Sequence, residues 1–164
     1  MNEHVRRDGF DYINVYSQSD TTLGRLLSNF AHTKISVGGV VFESVESWWY
    51  WMKMVNINKN VLVPLFTDEQ LSEIKKQPGK LAKDYFRKLY KDNSFEFNPN
   101  KDELKKIYIL KLEQHPYIKE MLFKNNLPFE HYYVMGDKKV EAKDFLWTAT
   151  LWEEIKKELI ENEK

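Results

Sequence analysis

The chain has 164 residues, long enough to bury a substantial core in one domain, and its 25 basic side chains balance 25 acidic ones. That balance excludes a dominant nucleic-acid or membrane-surface field and leaves room only for a local basic patch. Cysteine is absent, which excludes disulfides, thiol catalysis and thiolate metal sites; the histidines (His4, His32, His115 and His131) are scattered at no zinc-binding spacing. The residues from Met1 to Phe10 form no apolar signal core, and no run approaches the roughly 18 apolar residues of a membrane span. A cytoplasmic protein is therefore expected. Aromatic residues reach 15%, more than packing alone asks of so short a chain, and are compatible with a pocket for a flat ring.

In chain order, Tyr12 to Tyr16 is β-branched and aromatic and predicts a first strand. Ser17 to Thr22, with Gly24 and Arg25 after it, reads as loop. Ile35–Val37 and Val40–Phe42 flank Gly38-Gly39, a hairpin signal, because both central positions of a type I′ turn want positive φ. Ser44 caps a helix expected to run to about Val55, and Thr67 with Gln70 forms a capping-box pattern opening the next. Pro78-Gly79 ends that helix, and Lys80 to about Tyr90 forms a basic amphipathic one. Asn93 to Asn100, with Phe95, Phe97 and Pro99, reads as loop. A long helix follows from Lys101 to Gln114, with Leu104, Ile107, Tyr108 and Leu112 inward. Pro116 breaks it, and Tyr117 to Lys124 resumes helically. Leu127 to Val134 reads as one strand, Gly136-Asp137 as a turn into Lys139-Val140, and Ala142 to Glu161 as a last helix burying Phe145, Leu146, Thr148, Ala149, Trp152, Ile155 and Leu159. The expected architecture is a single α+β domain, mostly helical, with a small β-sheet.

Chemistry concentrates on the helix that Ser44 opens. Glu46, Trp49, Tyr50 and Lys53 fall at i, i+3, i+4 and i+7 and share a face. An acid and a base two turns apart, with two rings between them, would wall a site for an aromatic, charged ligand. Trp48, Trp51 and Met52 point elsewhere, into the core. A buried structural helix shows the same aromatic stripe. Glu46 lies in the first turn, where the macrodipole favours a charged carboxylate, so an ionised group is expected there.

Several segments, taken in order, resemble the NADAR (YbiA-like) family. Ile13-Asn14-Val15-Tyr16-Ser17 leads into Ser28-Asn29-Phe30, and a hairpin precedes Ser44-Val45-Glu46-Ser47, with Lys53 seven residues after the glutamate. Far downstream, Lys111-Leu112-Glu113-Gln114-His115 is similar to the family's Lys-Phe-x-Gln-His segment. The departures are equally specific. Family members carry histidine after the helix glutamate, where this chain has Ser47. Their Tyr-Trp-Gly appears only as Tyr132-Tyr133-Val134-Met135-Gly136, and their Gly-x-Asn-x-x-Gly is replaced by Ala142 to Trp147.

The resemblance implies an N-glycosidase fold associated with NAD, ADP-ribose and related nucleotides. Family activities include hydrolysis of riboflavin-pathway ribosyl intermediates and removal of ADP-ribose from guanine bases. The implied substrate is an ADP-ribosylated guanine nucleotide or nucleic acid, with no metal, no cofactor and no membrane involved. Cleaving a ribose–base bond passes through an oxocarbenium-like state, which a fixed carboxylate steadies, or which it meets by activating water or attacking. Glu46 is the candidate for that role. Lys53 would reach a phosphate or ribose hydroxyl or protonate the leaving base, and Asp137 would be a second acid. Asn29 would donate to a ribose hydroxyl, and Phe30, Trp49, Tyr50, Phe97 and Tyr133 would line or stack on the base.

Each candidate also has an ordinary structural counterpart: a helix-start acid, a solvated lysine, a turn aspartate, a loop-capping asparagine, core rings. Lys111 and His115, a turn apart, are placed to contact phosphate, although a helix C-terminus attracts cations anyway. Lys75-Lys76, Lys80, Lys83 and Arg87-Lys88 read as a solvated face that could receive a nucleic-acid backbone. The altered C-terminal motifs set an alternative beside the hydrolase: a module of the same fold, without catalysis, that binds an ADP-ribose- or NAD-like nucleotide or a partner protein.

Overall fold

A computed structural model describes residues 7–91, 100–142, 145 and 147–164. The chain is α+β and mostly helical. Its elements are β1 (Ile13–Asn14), α1 (Thr22–Leu27), β2 (Ile35–Val37), β3 (Val40–Phe42), α2 (Val45–Lys59), α3 (Asp68–Lys76) and α4 (Lys80–Leu89). They continue with α5 (Lys101–Gln114), α6 (Pro116–Lys124), β4 (Phe129–Glu130), β5 (Tyr132–Met135), β6 (Lys138–Glu141) and α7 (Trp147–Asn162). The chain divides into two compact units: Asn29–Lys111 forms one, and Met1–Ser28 with Leu112–Lys164 forms the other. Among the described residues no helix is long and apolar enough to cross a membrane.

In the unit from Asn29 to Lys111, Gly38 and Gly39 take φ of +56° and +83°, closing the β2–β3 hairpin in the expected register, Val37 opposite Val40. Ser44 caps α2, which runs one turn beyond the expected end. Thr67 and Gln70 close both halves of the capping box on α3. The Asn58 side chain ties down the return from α2, accepting from the Leu65 and Phe66 amides and donating to the Phe66 carbonyl. Beneath these elements Met54, Ile57, Phe66, Ile74, Ala82 and Phe86 form a core, with Tyr50, Trp51, Leu71 and Tyr85 packed against it. Leu104, Ile107 and Tyr108 of α5 are buried as expected. The expected loop with Phe95, Phe97 and Pro99 lies outside the described residues.

In the other unit, β1 and β4 pair in parallel, Ile13 opposite Phe129, and β5 and β6 form an antiparallel hairpin around Gly136. Tyr12 and Tyr132 meet edge-on and share a hydroxyl–hydroxyl hydrogen bond of 2.6 Å. Asn14 locks the neighbouring strands, accepting from the Tyr132 amide and donating to its carbonyl. Thr148, Leu151, Trp152 and Ile155 of α7 are buried, whereas Phe145, Ala149 and Leu159 are only half-buried. Leu146 lies outside the described residues.

Three expectations are corrected here. The segment around Gly24 and Arg25 is the helix α1, capped by Thr21, whose hydroxyl accepts from the Gly24 amide. Glycine serves packing there: a Cβ at Gly24 would sit 2.2 Å from the Asn14 carbonyl oxygen. Leu127 to Val134 is not one strand but two, because His131 breaks the run and β4 and β5 take different partners. His115 is not on the same helix as Lys111; it stands at the break where Pro116 starts α6.

Candidate functional site

The start of α2 is built from three segments of one unit. Ser44 is fully buried in extended backbone, and its Oγ accepts from the Ser47 amide at 3.1 Å and the Gly79 amide at 2.9 Å. Its hydroxyl also meets the Ser47 hydroxyl at 2.8 Å, and Ser47 donates to the Gln77 carbonyl. Two serines therefore clamp the helix start to the turn between α3 and α4. Gly79 completes the clamp with φ +51°, and a Cβ there would fall 2.5 Å from the Phe30 carbonyl oxygen. Only glycine allows the turn and the Phe30 backbone to lie this close. Ser47, where the resembled family carries histidine, is fully buried inside this network, which leaves no room for a larger ring.

Glu46 sits in the first turn, with its amide donating to the Asn29 carbonyl at 3.0 Å. Asn29 is held in turn by Tyr108, whose hydroxyl donates to Oδ1 at 2.6 Å. With Oδ1 engaged, Nδ2 is the group Asn29 would present to a hydroxyl. Glu46 is half-buried, and burial pushes its carboxyl up to about 7, while Lys83 pulls it back down. The expected permanently ionised carboxylate is thus corrected. Desolvation disfavours the anion by more than the helix start and Lys83 favour it.

Beyond Glu46 the stripe lies on α4. The Tyr50 ring packs on Phe86 with centroids 5.0 Å apart, and the Lys53 ammonium lies 5.3 Å from the same ring centroid. Trp49 is buried, as is Trp48, while Trp51 and Met52 are half-buried. Asn29, Phe30, Glu46, Trp49, Tyr50 and Lys53 therefore all belong to the unit spanning Asn29 to Lys111. Tyr133 and Asp137 belong to the other unit. Tyr133 is exposed on β5 between Tyr16 and His131, and Asp137 is exposed in the β5–β6 turn. Phe97 lies outside the described residues.

Two residues gained importance that sequence reasoning had not given them. Lys83, read as part of a solvated face, is half-buried and close enough to Glu46 to act on its charge. Lys111 is fully buried, and desolvation pulls its ammonium down to about 7. A signal for that burial was present, since Lys111 stands i+7 from Leu104 and i+3 from Tyr108, on the apolar stripe of α5.

The chain matches no family model, no curated protein and no solved structure. A functional reading therefore rests on this geometry and on the motif order.

Proposed function

We propose that the chain is an N-glycosidase that hydrolyses the bond between ribose and base in ADP-ribosylated guanine, as a nucleotide or within nucleic acid. The observation that carries this reading is Glu46: a half-buried carboxyl at a clamped helix start, titrating near 7, with Asn29 and Lys83 as neighbours. As the C1′–N bond breaks, positive charge grows on the ribose. A carboxylate in a water-poor setting steadies that cation more strongly than one in bulk water. The same group, poised near neutrality, accepts a proton from the attacking water, which delivers hydroxide to C1′. The departing base takes up a proton, for which Lys53 on the same stripe is the candidate donor. Asn29 Nδ2 orients a ribose hydroxyl.

Chromatography of ADP-ribosylated guanosine incubated with the protein tests the reading. Release of ADP-ribose is the expected result, with Glu46→Gln folded but at background. Undiminished turnover in Glu46→Gln would contradict the role given to this residue. Calorimetric binding of ADP-ribose without product formation would instead favour the non-catalytic module, in line with the altered C-terminal motifs.

A further inference from the structure

The unit that holds the chain ends contains a cleft of about 220 Å³, lined by Phe129, Glu130, His131, Lys139, Glu141 and Ala149. This is below the roughly 300–1,000 Å³ of pockets for drug-sized ligands. The small side chain of Ala149 on α7 leaves the space, and the buried Phe129 gives an apolar wall.

The polar lining is unequal in sign. Glu130 and Lys139 form an ion pair at 3.5 Å, and the Lys139 ammonium also lies 4.8 Å from the Tyr132 ring centroid. Their charges offset each other. What remains is the carboxylate of Glu141, exposed on β6 and in no ion pair among the described residues. His131 adds a second acceptor. Its Nδ1 donates to the Val15 carbonyl at 2.6 Å, extending the β1–β4 ladder through a side chain. In the neutral ring that bond fixes the tautomer and leaves Nε2 with its lone pair. Burial holds the imidazole below its ordinary value, which keeps the ring neutral.

A cleft with a surplus carboxylate, an acceptor nitrogen and an already paired lysine repels anions and takes a cation. Among the described residues no group of three or more acidic or histidine side chains is arranged to hold a metal ion. The cation is therefore one that binds through its own hydrogen bonds. We propose that the cleft between β4, β6 and α7 binds a primary ammonium group on a short alkyl chain, with Glu141 and the His131 Nε2 as its acceptors and Phe129 against its methylenes. The chemistry is shared by a free alkylamine and by the side chain of a lysine on another protein.

The test is an NMR titration of the full chain with butylamine, following the ring protons of His131, with butanol as the uncharged control. Butylamine should shift these signals saturably and butanol should not. Glu141→Gln should weaken binding about tenfold, as loss of a charge-assisted contact does. Ala149→Leu, which fills the cleft, should abolish binding, and Glu46→Gln should leave it unchanged. Tighter binding of Nα-acetyl-lysine amide than of butylamine would assign the ligand to a protein lysine, and the reverse to a free amine. The proposal is overturned if His131 does not respond, if butanol acts equally, or if Glu141→Gln binds as the native chain does.

Discussion

Burial sets the chemistry of single residues in this molecule more strongly than sequence position does. Glu46 shows it most clearly. Its carboxyl is raised from 4.5 to about 7, so the folded state prefers the protonated form. Below about pH 4 the group is protonated in both states and costs nothing. Between 4.5 and about 7 the unfolded chain ionises first, and folding stability falls. Above about 7 the penalty is complete, at most about 3 kcal/mol. Glu46→Gln removes it. The variant should therefore be more stable than the native chain by about 1–3 kcal/mol near pH 8, and equal to it near pH 4, in urea unfolding at the two pH values. Equal stability near pH 8 would show that the carboxyl is not desolvated. A site residue whose removal stabilises the fold is what a functional carboxylate predicts.

At this scale the sequence was legible in residue type and spacing but not in environment. The spacing of Glu46, Trp49, Tyr50 and Lys53 located a stripe, yet the carboxyl's titration depends on Lys83 and on depth, and both come from tertiary packing. Lys111 was read from its place near a helix end, although its spacing from Leu104 and Tyr108 already set it on the buried face.

Among elements, those with strong local codes formed as read. Ser44, and Thr67 with Gln70, each start a helix where expected, because a capping oxygen acts within one turn. Pro116, read as a break with the helix resuming at Tyr117, is itself the first residue of α6, where its fixed φ suits the first turn. The α1 helix escaped because Gly24 and Arg25 resemble a loop, while the reason for glycine there is the approach of the Asn14 carbonyl, far from any local rule. The Leu127–Val134 run failed for a related reason: an unbroken aromatic pattern does not reveal that β4 and β5 have separate partners.

The turn at Gly79 is the element-level feature on which the site depends most. Gly79→Ala would combine a positive φ with a Cβ pressed into the Phe30 backbone, costing about 2 kcal/mol or more. Because the Gly79 amide also satisfies Ser44 at the start of α2, the variant should lose activity on ADP-ribosylated guanosine beyond its loss of stability. Thermal unfolding and turnover measured side by side check this; full activity in a destabilised Gly79→Ala protein would separate the turn from the site.

For the whole molecule, the elements read along the chain conveyed the α+β class and the helical majority, since both follow from periodicity and caps summed along the sequence. That reading did not convey the division into a middle unit and one made of both chain ends. That division includes a parallel pairing of two-residue strands, β1 with β4, whose partners are more than a hundred residues apart. Strands so short carry no periodic signal of their own. Six of the proposed site residues nonetheless fall in the continuous middle unit.

The decisive measurement is the pH dependence of kcat/KM for hydrolysis of ADP-ribosylated guanosine from about pH 5 to about pH 9. If ionised Glu46 does the work, the rate should rise about tenfold per pH unit up to about 7 and then level, and Glu46→Gln should have no such limb. A rate that is flat through that interval, or a limb that survives in Glu46→Gln, would contradict the account.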